Sequence, residues 1–224
     1  GDYNAEKLIR KHFTGKGNVP RGLCENAELS LLVSNRPVEL AYCLALINTG
    51  DRQSIIPQWV HRNFPAVEQV MRQLRSNPCG KCDYCRSALD LRAQLKSYFG
   101  YDNFRSYDGE PLQEKAATAA VENKSLIAVF PTGGGKSVTF QLPALMAGEA
   151  CRGLTVVISP LQSLMKDQVD NLAKKGIADA VTINGMLDPI ERAQAFENVS
   201  SGLASLLYIS PESLRSKSIE KLLL

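Results

Sequence analysis

In "PAVEQVMRQLR" (residues 65–75) the apolar side chains Val67, Val70, Met71 and Leu74 recur at helical spacing, with polar residues between them. That pattern gathers them on one face of an amphipathic helix. The same reading covers "AEKLIRKHF" (5–13), the short "NAELSLLV" (26–33) and "PVELAYCLALIN" (37–48), which opens with Pro37 in its first turn and stops at Gly50. "GKGNVPRGLC" (15–24) reads as a Gly/Pro loop. Past Leu89 the rhythm changes. Near-continuous apolar runs, "SLIAVF" (125–130), "LTVVIS" (154–159), "DAVTI" (179–183) and "SLLYIS" (205–210), are separated by helical stretches at about 111–122, 137–147, 161–174 and 188–200. Short buried strands alternating with helices predict a parallel sheet covered on both faces. The expected architecture is an α/β domain over 89–224, preceded by a mostly helical domain over 1–88.

Composition narrows the class. With 44% hydrophobic and 22% charged residues in 224, the chain reads as globular, with one or two domains. It holds no 18-residue apolar run, and "GDYNAEKLIRKHF" has no signal-peptide core. No membrane partner and a cytoplasmic location are therefore expected. The net charge of +3 arises in residues 1–90, where 12 Lys/Arg meet 9 Asp/Glu. That excess is too small to announce nucleic acid by itself.

The chemistry concentrates in two places. In "FPTGGGKS" an expected strand runs into Gly133, Gly134 and Gly135, then Lys136, Ser137 and a helix. Glycines let a backbone wrap a phosphate, and N–H groups at a helix start point at it. Lys136 would neutralise the β- and γ-phosphates of ATP, and the Ser137 hydroxyl would hold magnesium. The plain alternative is a glycine-rich turn that binds nothing. The second place is "CGKCDYC", which brings Cys79, Cys82 and Cys85 within seven residues, while Cys24, Cys43 and Cys151 are scattered. Clustered cysteines without secretion signals read as metal ligands, and a structural zinc needs a fourth. The candidates are Cys24, in an adaptable loop, Cys43, on a core stripe, and His61, and Cys24 is the expected fourth ligand. A helix over 65–75 would span roughly 16 Å and hold His61 away from Cys79. An iron–sulfur cluster would want a further Cys soon after Cys85, and "RSALDLR" has none. Two strands also end in Ser-Pro, at Ser159-Pro160 and Ser210-Pro211, which predicts Ser-capped helix starts at one sheet edge.

Four stretches in order, "YFGYDNFR" (98–105), "PTGGGKS" (131–137), "SPLQSLMKDQVDNL" (159–172) and "LLYISPESL" (206–214), resemble the first motor domain of RecQ-family DNA helicases, within superfamily 2. The resemblance implies a RecA-like P-loop domain, with Thr132 to Ser137 on the ATP phosphates. It implies an adenine site at Tyr101, Arg105 and Gln113, although "SYDGEPL" inserts seven residues between the Phe-Arg pair and the Gln where the family has two. It also implies a single-stranded DNA track at Ser159, Ser163, Lys166 and Gln168, with Ser210 in a second contact region and Glu212 bonded to protein instead. "CGKCDYC" resembles that family's zinc subdomain, C-G-x-C-D-x-C, which there follows both motor domains rather than preceding them.

The resemblance implies an ATP-dependent DNA helicase parent, moving 3′ to 5′ on single-stranded DNA and opening duplexes and their junctions, in DNA repair and recombination. No D-E-x-H sequence occurs in these residues, so the first motor domain is expected to be incomplete and the second motor domain missing. Such a fragment would bind ATP and nucleic acid without hydrolysing, and its sheet, lacking one interior strand, would be marginally stable or rescued by homo-oligomerisation. A non-enzymatic regulatory module and a DNA defence or restriction component with a RecQ-like motor remain the rival readings.

Overall fold

The computed structural model describes residues 5–13, 23–49, 60, 63–75, 79 and 81–223. Residues 15–22 of the Gly/Pro loop, the helix stop at Gly50 and His61 lie outside the described residues. By its internal contacts the chain forms two compact units, Gly1–Ala93 and Gln94–Leu224.

The first unit is helical. Its elements are α1 (Ala5–Phe13), α2 (Leu29–Asn35), α3 (Pro37–Thr49), α4 (Val67–Arg75) and α5 (Asp83–Ala88). All four apolar residues of the α4 stripe, Val67, Val70, Met71 and Leu74, are buried. Helix α3 packs on α2 and α4 and contributes buried Leu40, Cys43 and Ile47. Burying each such side chain stabilises the unit by about 1.5–3 kcal/mol. Cys43 belongs to this core. Its Sγ donates to the Val67 carbonyl at 3.3 Å, and burial pushes its thiol up to about 12.

The boundary falls inside α6 (Leu91–Phe99). The second unit continues with α7 (Leu112–Val121), α8 (Val138–Cys151), β1 (Thr155–Ile158), α9 (Gln162–Lys174), β2 (Ala180–Ile183), α10 (Pro189–Ser200), β3 (Leu206–Ile209), a 3-10 turn (Pro211–Arg215) and α11 (Lys217–Leu223). The strands form a parallel sheet in the order β1-β3-β2, with Leu206 of β3 opposite both Thr155 and Ala180. Central β3 is buried along its length, as its unbroken "LLYI" run predicts, and so is β2. Helix α10 starts on a capping box. The Asp188 carboxylate accepts from the Ile190 and Glu191 N–H groups at 2.8 Å, and Glu191 accepts from the Asp188 N–H at 3.2 Å.

Two expectations fail. Residues 125–130 do not join the sheet: no ladder pairs them with a described strand, and Ile127 and Val129 are 94% and 84% exposed. Apolar, β-branched sequence favours a strand only when a neighbour accepts its backbone bonds, and none of the described strands does so. The Ser-Pro junctions also differ. Helix α9 begins at Gln162 after Leu161, two residues beyond Pro160, while Ser210 precedes only the 3-10 turn, and neither start has a side-chain cap. A proline biases the residue before it away from the helical region, so the helix starts beyond Ser159-Pro160.

Candidate nucleotide site and cysteine cluster

The glycine loop closes on itself as a turn. The Gly134 N–H donates to the Pro131 carbonyl at 3.0 Å, which closes the turn. Gly133 and Gly135 take φ of 75° and 69°, a left-handed backbone that glycine adopts without strain. Lys136 is exposed, and its Nζ donates to the Phe130 carbonyl at 3.2 Å. Ser137 leads into α8 with its hydroxyl capping nothing.

Three side chains from residues 105–113 grip the loop. Arg105 NH1 donates to the Gly133 carbonyl at 2.9 Å, the Tyr107 hydroxyl to the Gly134 carbonyl, and Gln113 Nε2 to the Gly135 carbonyl at 2.8 Å. Gln113 Oε1 accepts the Arg105 backbone N–H at 2.8 Å, so the grip is itself braced. Because peptides are planar, a carbonyl held on one side sends the next N–H to the other. The amides of Gly135, Lys136 and Ser137 donate to no group among the described residues. Successive N–H groups of this kind make an anion-binding concavity.

The predicted adenine residues separate. Arg105 and Gln113 meet at the loop, where Gln113 is 4% exposed with both ends of its amide engaged. Tyr101 instead stacks on Phe99, centroids 6.1 Å apart, with Lys175 Nζ 5.0 Å from its ring centroid. Thr132 is exposed at the loop's outer turn.

Of the predicted DNA-contacting residues, Ser163 and Lys166 are exposed on the first turns of α9. Ser159 is half-buried, its N–H donating to the Ile209 carbonyl at 3.0 Å. Gln168 faces inward and accepts from Gln141 Nε2 at 2.9 Å. Ser210 is buried, with its hydroxyl 3.0 Å from that of Ser213. The Glu212 backbone N–H, helped by the Ser210 hydroxyl, holds the Glu212 carboxyl below the usual range. Sequence reasoning passed over two residues of this region. Buried Gln141 bridges Gln168 and the Tyr208 hydroxyl, the latter at 2.9 Å, and only its apolar surroundings hinted at a partner. Tyr107 lies in the inserted stretch, whose Asp108-Gly109 pair was the available signal for a tight turn.

In the first unit the sulfurs of Cys24, Cys79, Cys82 and Cys85 all lie within 4.8 Å of one another. Cys85 Sγ is 3.5 Å from Cys24 and 3.9 Å from Cys79, and all four thiols are free. Tetrahedral zinc with Zn–S near 2.3 Å spaces its sulfurs about 3.8 Å apart, so the donor set fits that ion. Backbone amides turn inward on the sulfurs. Lys81 and Cys82 donate to Cys79 at 3.4 and 3.3 Å, Cys85 to Cys82 at 3.4 Å, and Asn26 to Cys24 at 3.4 Å. The first two hold the Cys79 thiol down to about 6, whereas burial raises that of Cys24. Cys43 takes no part.

Comparison with known proteins points one way. The family described as DEAD/DEAH box helicase matches residues 110–223. The chain is 40% identical over 133 residues to the ATP-dependent DNA helicase RecQ of Synechocystis, covering 59% of this chain and 26% of that protein. It is 46% identical over 127 residues to RecQ of Bacillus subtilis, covering 56% and 20%, and 42% identical over 129 residues to RecQ of Haemophilus influenzae, covering 58% and 19%. The chain thus spans about a quarter or less of the length of these curated relatives.

Proposed function

The chain belongs to the DEAD/DEAH box helicase family, and on that premise we propose that it carries the nucleotide-gripping half of a RecQ-like, ATP-dependent DNA helicase motor. One observation carries the reading: the carbonyls of Gly133, Gly134 and Gly135 are engaged by Arg105, Tyr107 and Gln113, and the amides of Gly135, Lys136 and Ser137 donate to no group among the described residues. The β- and γ-phosphates would lie against those amides, with Lys136 leaving the Phe130 carbonyl to reach them. The Ser137 hydroxyl would take one position on magnesium. Gln113 retains one free hydrogen and one free lone pair, and a base edge reaching it would complete them. Exposed Ser163 and Lys166 would meet a DNA backbone, where a hydroxyl and an ammonium read charge and not sequence.

Hydrolysis needs a carboxylate to activate water, and residues 1–224 contain no D-E-x-H sequence. We therefore assign to these residues nucleotide binding rather than turnover. The four thiolates of the first unit would hold a structural zinc, which supplies cohesion and no chemistry. The test is a titration of the chain with a fluorescent ATP analogue and magnesium. Saturable one-site binding is expected, weakened about a hundredfold in Lys136→Ala, since a charge-assisted phosphate contact is among the strongest a loop makes. Equal affinity in both proteins would refute the assignment.

A further inference from the structure

The third grip on the phosphate loop comes from the stretch where this chain departs from the RecQ pattern. Within "SYDGEPL", Tyr107 and Glu110 pair as an antiparallel bridge, with N–H to carbonyl distances of 2.9 and 2.8 Å in the two directions. Asp108 and Gly109 turn between them with φ of 49° and 82°, the double left-handed backbone of a two-residue hairpin. A Glu110–Lys115 ion pair ties the hairpin to the start of α7. The hairpin delivers the Tyr107 ring against Phe130, centroids 5.3 Å apart and planes 50° apart, and its hydroxyl to the Gly134 carbonyl. Gly134 is buried, and a Cβ there would lie 2.8 Å from the Pro131 carbonyl and 3.2 Å from the Tyr107 oxygen, so a side chain would strain the turn and crowd the hydroxyl.

We propose that Tyr107 is a positioning residue for nucleotide binding: its hydroxyl, through the Gly134 carbonyl, sets the Gly134–Gly135 peptide so that the Gly135 N–H faces the phosphates. The inference rests on the nucleotide reading above and adds a residue to it. In this role Tyr107 acts through the loop backbone rather than on the nucleotide. Its ring packs at a tilt on Phe130, before the loop, and its hydroxyl holds the loop's middle peptide, so one side chain ties the two together.

The variant Tyr107→Phe keeps the ring contact with Phe130 and removes only the hydroxyl. Its affinity for the fluorescent ATP analogue is expected to fall about fivefold, the worth of one hydrogen bond. Exchange of the Gly134 amide, whose bond to Pro131 closes the turn, should speed up by a similar factor in nucleotide-free protein, with α8 and β3 amides unchanged. Unchanged affinity overturns the proposal, and so does faster exchange spread evenly over α8 and β3, which would be a packing loss. Should the wild type itself bind no nucleotide, the nucleotide reading falls, and the Gly134 exchange rate alone decides whether Tyr107 sets the loop.

Discussion

In the cysteine cluster four sulfurs converge with backbone N–H groups turned onto them, whereas in the phosphate loop every glycine carbonyl is held by a side chain from 105–113. Both sites join a short local motif to a distant partner. Cys24 comes from 61 residues before Cys85, and Arg105 from 28 before Gly133. The difference lies in what supplies the cohesion. Four thiolates repel one another and need a cation between them, while the loop is pre-set by neutral bonds and a guanidinium before any ligand arrives. Loss of a ligand should therefore collapse the first site, and loss of a grip should only loosen the second.

The largest effect is expected at the cluster. Cys85→Ser, or chelation, should abolish about one equivalent of zinc per chain and unfold the first unit, because structural zinc contributes on the order of 10 kcal/mol to such sites. Metal analysis beside circular dichroism checks this, and a fully helical, metal-free first unit would erase the contrast. At the loop, Gly134→Ala forces a Cβ to within 2.8 Å of the Pro131 carbonyl. It should cost about 1–3 kcal/mol of stability and weaken the nucleotide together with it, read by urea melts and the same titration. Away from both sites, Tyr208→Phe removes one of the two acceptors of buried Gln141 and should cost about 1 kcal/mol. Asp188→Ala deletes the capping box of α10 for about 1 kcal/mol, with nucleotide affinity unmoved.

Much of this was readable from residue order. The α4 stripe of Val67, Val70, Met71 and Leu74 is a local, helical-period signal, and all four are buried. Strands β1, β2 and β3 occupy the three later apolar runs, since each finds a parallel neighbour. The run at 125–130 is similarly apolar and pairs with none of the described strands, and composition cannot say whether a partner strand is present. Cys24 could be favoured over Cys43 because Leu40, Cys43 and Ile47 share a core stripe, and Cys43 indeed bonds the Val67 carbonyl. Long-range polar contacts stayed hidden. Nothing near Gln141 in the chain points to Tyr208, 67 residues on, and the Asp-Gly turn announces a hairpin without saying that Tyr107 lands on Gly134.

Amide hydrogen exchange at Gly135, Lys136 and Ser137, followed with and without a non-hydrolysable ATP analogue and magnesium, tests the central claim most directly. Those three amides donate to nothing among the described residues, so they should exchange freely without nucleotide and slow by at least about tenfold when phosphate oxygens take them up. Protection elsewhere in the second unit, with these three left exchanging as before, would contradict a phosphate cradle at this loop.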